Sequence, residues 1–187
     1  CVVTVEAFLS YISIFYIAVV TNLLLFLRGG ISLGRHYETC PTAKNPQNLF
    51  VISPTLVDAV RLEKEVADTP RVIIGKSVIN FVKAIYPKEP DVLLKDGWVF
   101  QDYAMDGEAC LNLYSLAVRK IETKKDVDLG ARKFLERMRD ILNQRIVSVR
   151  TQPKLLKKYL WFAGYHNERT ERIDKALAID MPALLNN

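Results

Sequence analysis

The sequence predicts an α+β fold, with a mixed strand and helix core over residues 1–104 and a helical extension over residues 105–187. Three observations predict it. Short β-branched or apolar runs (CVVTVE, LFVI, RVII) precede segments of helical spacing in the first half. A glycine pair, Gly29-Gly30, interrupts an apolar strand and then gives way to a Gly- and Pro-bearing loop. Past Ala104 only helical spacing remains. It is clearest over residues 129–149, where Phe134, Leu135, Met138, Ile141, Leu142, Ile146 and Val149 recur on one face.

Taken in order, residues 1–6 read as a strand. The chain opens on Cys1 rather than Met, inside that expected strand, and so reads as a piece of a longer protein. Residues 7–22 follow as a helix, apolar on nearly every face and therefore deeply packed. No charge occurs over residues 7–27, a stretch of roughly twenty, which meets the length criterion for a membrane span. Ser10, Ser13, Thr21 and Asn22 are scattered through it, and Tyr11 and Tyr16 sit mid-span rather than at the ends. A buried helix running into a strand is the better reading. No basic stretch precedes it, so no signal peptide is expected.

The strand over residues 25–33 contains Gly29-Gly30, which suggests a bulge or a close approach by another backbone or a ligand. Residues 34–47 form a loop, and residues 49–52 form a strand. Ser53 followed by Pro54 starts a helix: the hydroxyl accepts an orphan N–H, and proline has none to lose. That helix is expected to reach Ala67, with Leu56, Val57, Val60 and Val66 inward. Residues 71–74 make a buried strand and residues 77–85 a helix, closed by Pro87 and Pro90. Residues 98–103 (WVFQDY) make a last strand, near an edge. Helices are expected over residues 108–122, 129–149 and 154–166.

With 187 residues, half of them apolar and a quarter charged, the chain suits one good core, or one small domain with an appendage. Its net charge of +5 is unevenly placed: residues 119–175 hold 16 Lys/Arg against 8 Asp/Glu. Such a basic third could meet nucleic acid or an acidic partner. A solvated face of amphipathic helices is the plainer reading, and no nucleic-acid partner is expected. Cys1, Cys40 and Cys110 are odd in number, widely spaced and without CxxC spacing, which points to a reducing compartment and no metal framework. His36 reads as a surface residue and His166 as a helix-end residue. Trp161, Phe162 and Tyr165 read as a core stripe.

Three segments resemble the catalytic domain of class III nucleotide cyclases. Arg28, Gly30 and Gly34 fall on that family's Arg-x-Gly-x-x-x-Gly strand, and Ala59, Arg61, Leu62 and Glu63 on its Ala-x-Arg-Leu-Glu helix. Pro70-Arg71-Val72-Ile73-Ile74 and Ser77-Val78 look like its next strand and Ser-x-x-Val step. The wording RGGISLG, PTLVDAVRLE and TPRVII, with DGWVFQDY and KYLWFAGYHN further on, is most similar to the bacterial Pycsar-type pyrimidine cyclases of antiphage defence. The resemblance covers nearly the whole chain. It implies an incomplete ferredoxin-like cyclase core with a C-terminal helical extension, in a cytoplasmic homodimer with sites at the subunit interface.

In such an enzyme the ribose 3′-hydroxyl of CTP or UTP attacks the α-phosphate and pyrophosphate leaves. Two divalent ions (Mn or Mg) clamp the attacking and leaving oxygens. The resemblance places Arg61 at the cation that stabilises the growing phosphate charge, a task suited to a planar guanidinium. An exposed helix arginine paired with Glu65 at i+4 is the competing account. The base-selecting position falls at Phe50, and Thr55 and Asp58 are candidates for further nucleotide contacts. The family's transition-state asparagine falls at Val57, which has no hydrogen-bonding group. The family's metal-holding aspartates lie upstream of the residue matching Cys1, so the chain as given is expected to bind no metal and not to turn over. Two other functions compete: a non-catalytic cyclase-like module that senses nucleotides or binds a partner, and an interaction protein anchored in a membrane by residues 7–27. No membrane partner is expected on the leading reading.

Overall fold

The computed structural model describes residues 4–38, 51–123 and 129–186 and is of mixed α+β type. Two compact units divide the chain: Arg28–Leu111 holds the strands, while Cys1–Leu27 and Asn112–Asn187 together form a helical unit. This differs from a division at residue 104, because the first helix groups with the last ones rather than with the strands.

In the strand-bearing unit a four-stranded sheet has the order β1 (Gly29–Ile31), β4 (Val72–Ile74), β6 (Ala109–Leu111), β5 (Val99–Gln101). β1 and β4 are parallel, with Gly30 opposite Ile73, and the other two pairings are antiparallel. β4 is buried along its whole length, as an unbroken Val-Ile-Ile run requires. The connection from β1 to β4 passes through β2 (Tyr37–Glu38) and β3 (Val51–Ile52), an antiparallel ribbon, and then α2 (Pro54–Arg61). Ser53 caps α2 by accepting the Leu56 N–H at 3.1 Å, with Pro54 just after it, as the sequence requires. α2 continues as a π-helical turn, Leu62–Val66, which ends at the Ala67 N–H to Leu62 carbonyl bond. Leu62, Ala67, Ile73 and Cys110 form the core, with Val66 and Phe100 packed on it. α3 (Lys76–Ile85) follows β4, and the short α4 (Val92–Lys95) precedes β5.

Several expectations need correction. Residues 4–6 are not strand: Thr4 caps α1 (Val5–Leu23). Residues 1–3, 39–47 and the Leu49 and Phe50 positions lie outside the described residues. Tyr37–Glu38, expected as loop, is strand. The helix expected from residue 108 begins only at Ser115, because Gly107 takes φ +74° and turns the chain back into β6, burying Cys110 and Leu111. Leu56, Val57 and Val60, expected inward, are exposed.

The helical unit comprises α1, α5 (Ser115–Thr123), α6 (Leu129–Ser148) and α7 (Pro153–Thr170), followed by a 3₁₀ turn, Lys175–Leu177, and α8 (Met181–Asn186); α1 packs on α6 and α7. α1 buries Leu9, Ser13, Tyr16 and Val20 and leaves Phe8, Tyr11, Ile14 and Phe15 exposed. By length and composition it could cross a membrane. Its polar side chains are satisfied within the helix: Ser13 donates to Leu9 O at 3.0 Å and Thr21 to Ile17 O at 2.8 Å. Tyr16 reaches Leu27 O at 2.9 Å and stacks on Phe162. Phe162 and Tyr165 are core, as the aromatic stripe predicts. His166 is buried rather than a cation at a helix end: its Nε2–H donates to Leu177 O (2.9 Å), leaving Nδ1 to accept from Tyr114 (3.0 Å). Burial pushes its pKa down to about 4.

Candidate functional site

Small residues set the geometry around α2. A Cβ at Gly30 would stand 2.5 Å from Ala59 O and 2.6 Å from the Leu62 Cβ, and one at Gly34 would stand 2.5 Å from the Thr55 Oγ1. Gly75 is similarly close to Ile31 O. The backbone of the β1 strand therefore lies directly against the face of α2 that carries positions 55, 59 and 62, which share one helical face. This is the close backbone approach that paired glycines suggest. It also sends Leu56, Val57 and Val60 outward.

That contact brings a polar cluster together at the carboxyl ends of the parallel strands β1 and β4, the usual ligand-binding end of a parallel sheet. The Ser32 hydroxyl, just past β1, donates to Asp58 Oδ2 at 2.7 Å and lies 3.1 Å from the hydroxyl of Ser77, in the first turn of α3. Ser77 Oγ also accepts the Leu33 N–H at 3.0 Å. Asp58 Oδ1 accepts from Arg61 at 2.8 Å, one turn along the same helix. The Ser32 hydrogen bond, and then the one from Arg61, hold the Asp58 carboxyl below the usual carboxylate range. The bond to Asp58 raises the Arg61 pKa further, with the charges of Glu65 and Glu108 adding to it. So Arg61 is anchored at i−3 by Asp58 rather than at i+4 by Glu65. Its guanidinium is half exposed, and its remaining N–H donors have no protein partner among the described residues.

No family model matches the chain, and no curated protein or solved structure matches it.

Of the residues singled out from sequence, Arg61 and Asp58 are joined in one cluster. Thr55 is not part of it: its hydroxyl donates to Arg35 O at 3.1 Å and fills the space above Gly34, tethering the loop after β1. Phe50 lies outside the described residues. Val57 is 70% exposed. His36 pairs with Glu38 on the surface, as a lone imidazole would. Ser77 lies in the Ser-x-x-Val match and Ser32 in the RGGISLG match, but the sequence analysis gives neither a role in the site. The available signal was a hydroxyl residue within three positions of the end of each of two parallel strands.

Beside this cluster a groove of ≈ 470 Å³ runs between α3 and the β5–β6 hairpin, lined by Lys76, Asn80, Lys83, Asp91, Gln101 and Glu108 among others. Its volume lies in the range of small-molecule sites, roughly 300–1,000 Å³. Lys76 and Lys83 have no protein partner among the described residues. Glu108 borders both the groove and the field felt by Arg61.

A second charged cluster, also missed from sequence, is structural. Arg71 is buried. It donates to Asp102 at 3.1 Å, to both oxygens of Asp106 at 2.9 and 2.5 Å, and to Val66 O at 3.0 Å. It ties the start of β4 to the hairpin and to the end of the π turn. Beside it, burial pushes the Cys110 thiol up to about 12. Among the described residues no group of three or more His, Cys, Asp or Glu is placed to hold a metal ion. The described side chains therefore do not form a metal clamp.

Proposed function

We propose that this chain belongs to a class III-like nucleotide cyclase, closest to the pyrimidine cyclases of antiphage signalling. Its core would be ferredoxin-like. In the working enzyme the 3′-oxygen of CTP or UTP forms a bond to the α-phosphorus, the bond to the β-phosphate bridging oxygen breaks, and pyrophosphate departs. Arg61 meets the non-bridging phosphate oxygens with a fork that Asp58 and Ser32 pre-orient. The acidic residues that hold divalent ions in this family would come from sequence outside the residues described here. The observation that carries the reading is the seating of Gly30 against Ala59 and Leu62. It joins the RGGISLG, DAVRLE and PRVII segments in one sheet-and-helix layer with Arg61 at its rim. The outward stripe of Leu56, Val57 and Val60 is suited to a face buried in a cytoplasmic homodimer.

The test is incubation of the complete protein with CTP, UTP, ATP or GTP and manganese, followed by chromatography for cyclic monophosphate. A cyclic pyrimidine product, reduced about 100-fold or more by Arg61→Ala, is expected. No product from any of the four, or an unaffected variant, defeats the reading.

One observation favours a second reading. Val57 stands where the family carries its transition-state asparagine, and it is 70% exposed with no hydrogen-bonding group. A non-catalytic module would keep the phosphate-facing arginine for binding alone. It would bind CTP or UTP in titration calorimetry, weakened by Arg61→Ala, while releasing no pyrophosphate.

A further inference from the structure

The turn joining α6 to α7 concentrates positive charge that no described residue of its own unit neutralises. From residue 146 to residue 167 the sequence contains no Asp or Glu. Within that stretch Arg150, Lys154, Lys157 and Lys158 lie at the turn and in the first two turns of α7, and among the described residues none has an ion-pair partner. Arg150, Lys154 and Lys157 are exposed and Lys158 is half-buried. Helix N-termini carry a positive partial charge and are ordinarily stabilised by Asp or Glu in the first turn. α7 has no acidic residue there and sets three lysines at that end instead. The arrangement is unfavourable to the chain alone, and an external anionic surface would relieve it.

An exposed leucine lies between these cations in sequence, and a second follows α1. Leu155 lies between Lys154 and Lys157 and is 40% exposed. Leu25, 55% exposed, belongs to the segment after α1, where the adjacent Phe26 packs edge-on against Tyr159 (5.2 Å) and Phe162 (5.0 Å) of α7. Cations flanking an exposed leucine suit a bilayer interface, where the leucine enters the acyl boundary and the lysines meet headgroup phosphates. Single-stranded nucleic acid is instead gripped by stacking aromatics among the cations. Here the nearest aromatic, Tyr159, is engaged with Phe26.

We infer that the α6–α7 turn is a peripheral docking surface for an anionic phospholipid bilayer. It departs from the expectation of no membrane partner. It needs no spanning helix and is independent of the cyclase reading.

The test is co-sedimentation of the intact protein with sucrose-loaded vesicles, either of phosphatidylcholine alone or containing about one-third phosphatidylserine, at low ionic strength. Each lysine near such a surface changes partitioning about fivefold. The variant K154Q/K157Q/K158Q is therefore expected to bind phosphatidylserine vesicles roughly 100-fold more weakly. Leu155→Ser is expected to weaken binding about fivefold. The triple variant should melt no lower than wild type, since it removes cations that oppose the α7 dipole. Raising salt to about 0.5 M should release the wild-type protein. The proposal is overturned by failure to bind phosphatidylserine vesicles, by equal binding to phosphatidylcholine alone, or by a triple variant that binds like wild type. It is likewise overturned if a DNA or RNA oligonucleotide binds more tightly than the vesicles and loses affinity in the same variant.

Discussion

The neighbouring glycines of β1 should respond oppositely to the same substitution. A methyl group at Gly30 would fall 2.5 Å from the Ala59 carbonyl oxygen and 2.6 Å from the Leu62 Cβ. Both belong to a helix that cannot yield by rotating a side chain, so β1 must separate from α2. Such overpacking costs about 1–3 kcal/mol. At Gly29 the methyl would meet only the two Val72 methyl groups, both at 3.8 Å, an ordinary contact. Neither glycine has positive φ, so alanine is tolerated by the backbone at both. Gly29→Ala then removes freedom from the unfolded chain and stabilises by about 0.4–1 kcal/mol.

With a urea slope of about 2 kcal/mol per molar, Gly30→Ala lowers the unfolding midpoint by about 1 M and Gly29→Ala raises it by about 0.3 M. The assay is urea titration of 5-fluorotryptophan-labelled protein followed by ¹⁹F NMR. It separates Trp98, in the same unit as these glycines, from Trp161. Equal shifts of the Trp98 transition for both variants, or a Gly30→Ala midpoint at or above wild type, would refute the strand-on-helix contact and with it the placement of Arg61.

Two further predictions concern charge. Asp106→Ala should destabilise by about 2 kcal/mol in urea titrations. This is less than the 3–5 typical of breaking a buried pair, because Asp102 and Val66 O still hold Arg71 and the Asp106 side chain is 35% exposed. Because the Arg71 hydrogen bond holds the Asp106 carboxyl below its ordinary range, this contribution is present above about pH 4 and is lost as pH falls further. His166 runs through a different window. Above its unfolded pKa of 6.5 both states are neutral, and as pH falls the unfolded chain takes up a proton before the folded one does. Stability should drop by about 3 kcal/mol between pH 6.5 and 4 and then level off, a decline that His166→Gln should remove from midpoints measured across that range.

Much of the fold was legible because local rules agreed with one another. Ser53-Pro54 marks the start of α2, the Val-Ile-Ile run marks a buried β4, and the heptad-like spacing from Phe134 to Val149 marks α6. Where the reading failed, tertiary contacts chose between locally equal options. Residues 4–6 are β-branched at Thr4 and Val5, yet Thr4 serves better as a cap for a helix whose inner face is Leu9, Ser13, Tyr16 and Val20. Residues 108–111 have no turn residue of their own, and the hairpin is closed by Gly107 upstream and by burial of Cys110 against Leu62, Ala67 and Ile73. Arg71 and its two aspartates lie more than thirty positions apart in sequence, so no spacing rule could pair them.

The packing of α2 bears on function. The largest apolar side chains of the helix point to Leu56, Val57 and Val60 as core, but the inner contact is made by Thr55 and Ala59 against Gly34 and Gly30. Small-on-small packing lets two backbones meet closely, and it leaves the bulky residues of the same helix facing out. Arg61 and Asp58 lie on that helix between the two faces. The fork is thus held at a rim, with the sheet end and its two serines on one side and the apolar stripe on the other. A guanidinium placed this way stays charged and largely solvated until something covers the stripe, and desolvation would then strengthen its pull on an anion. An Arg61 effect on phosphate chemistry should therefore depend on whatever covers Leu56, Val57 and Val60.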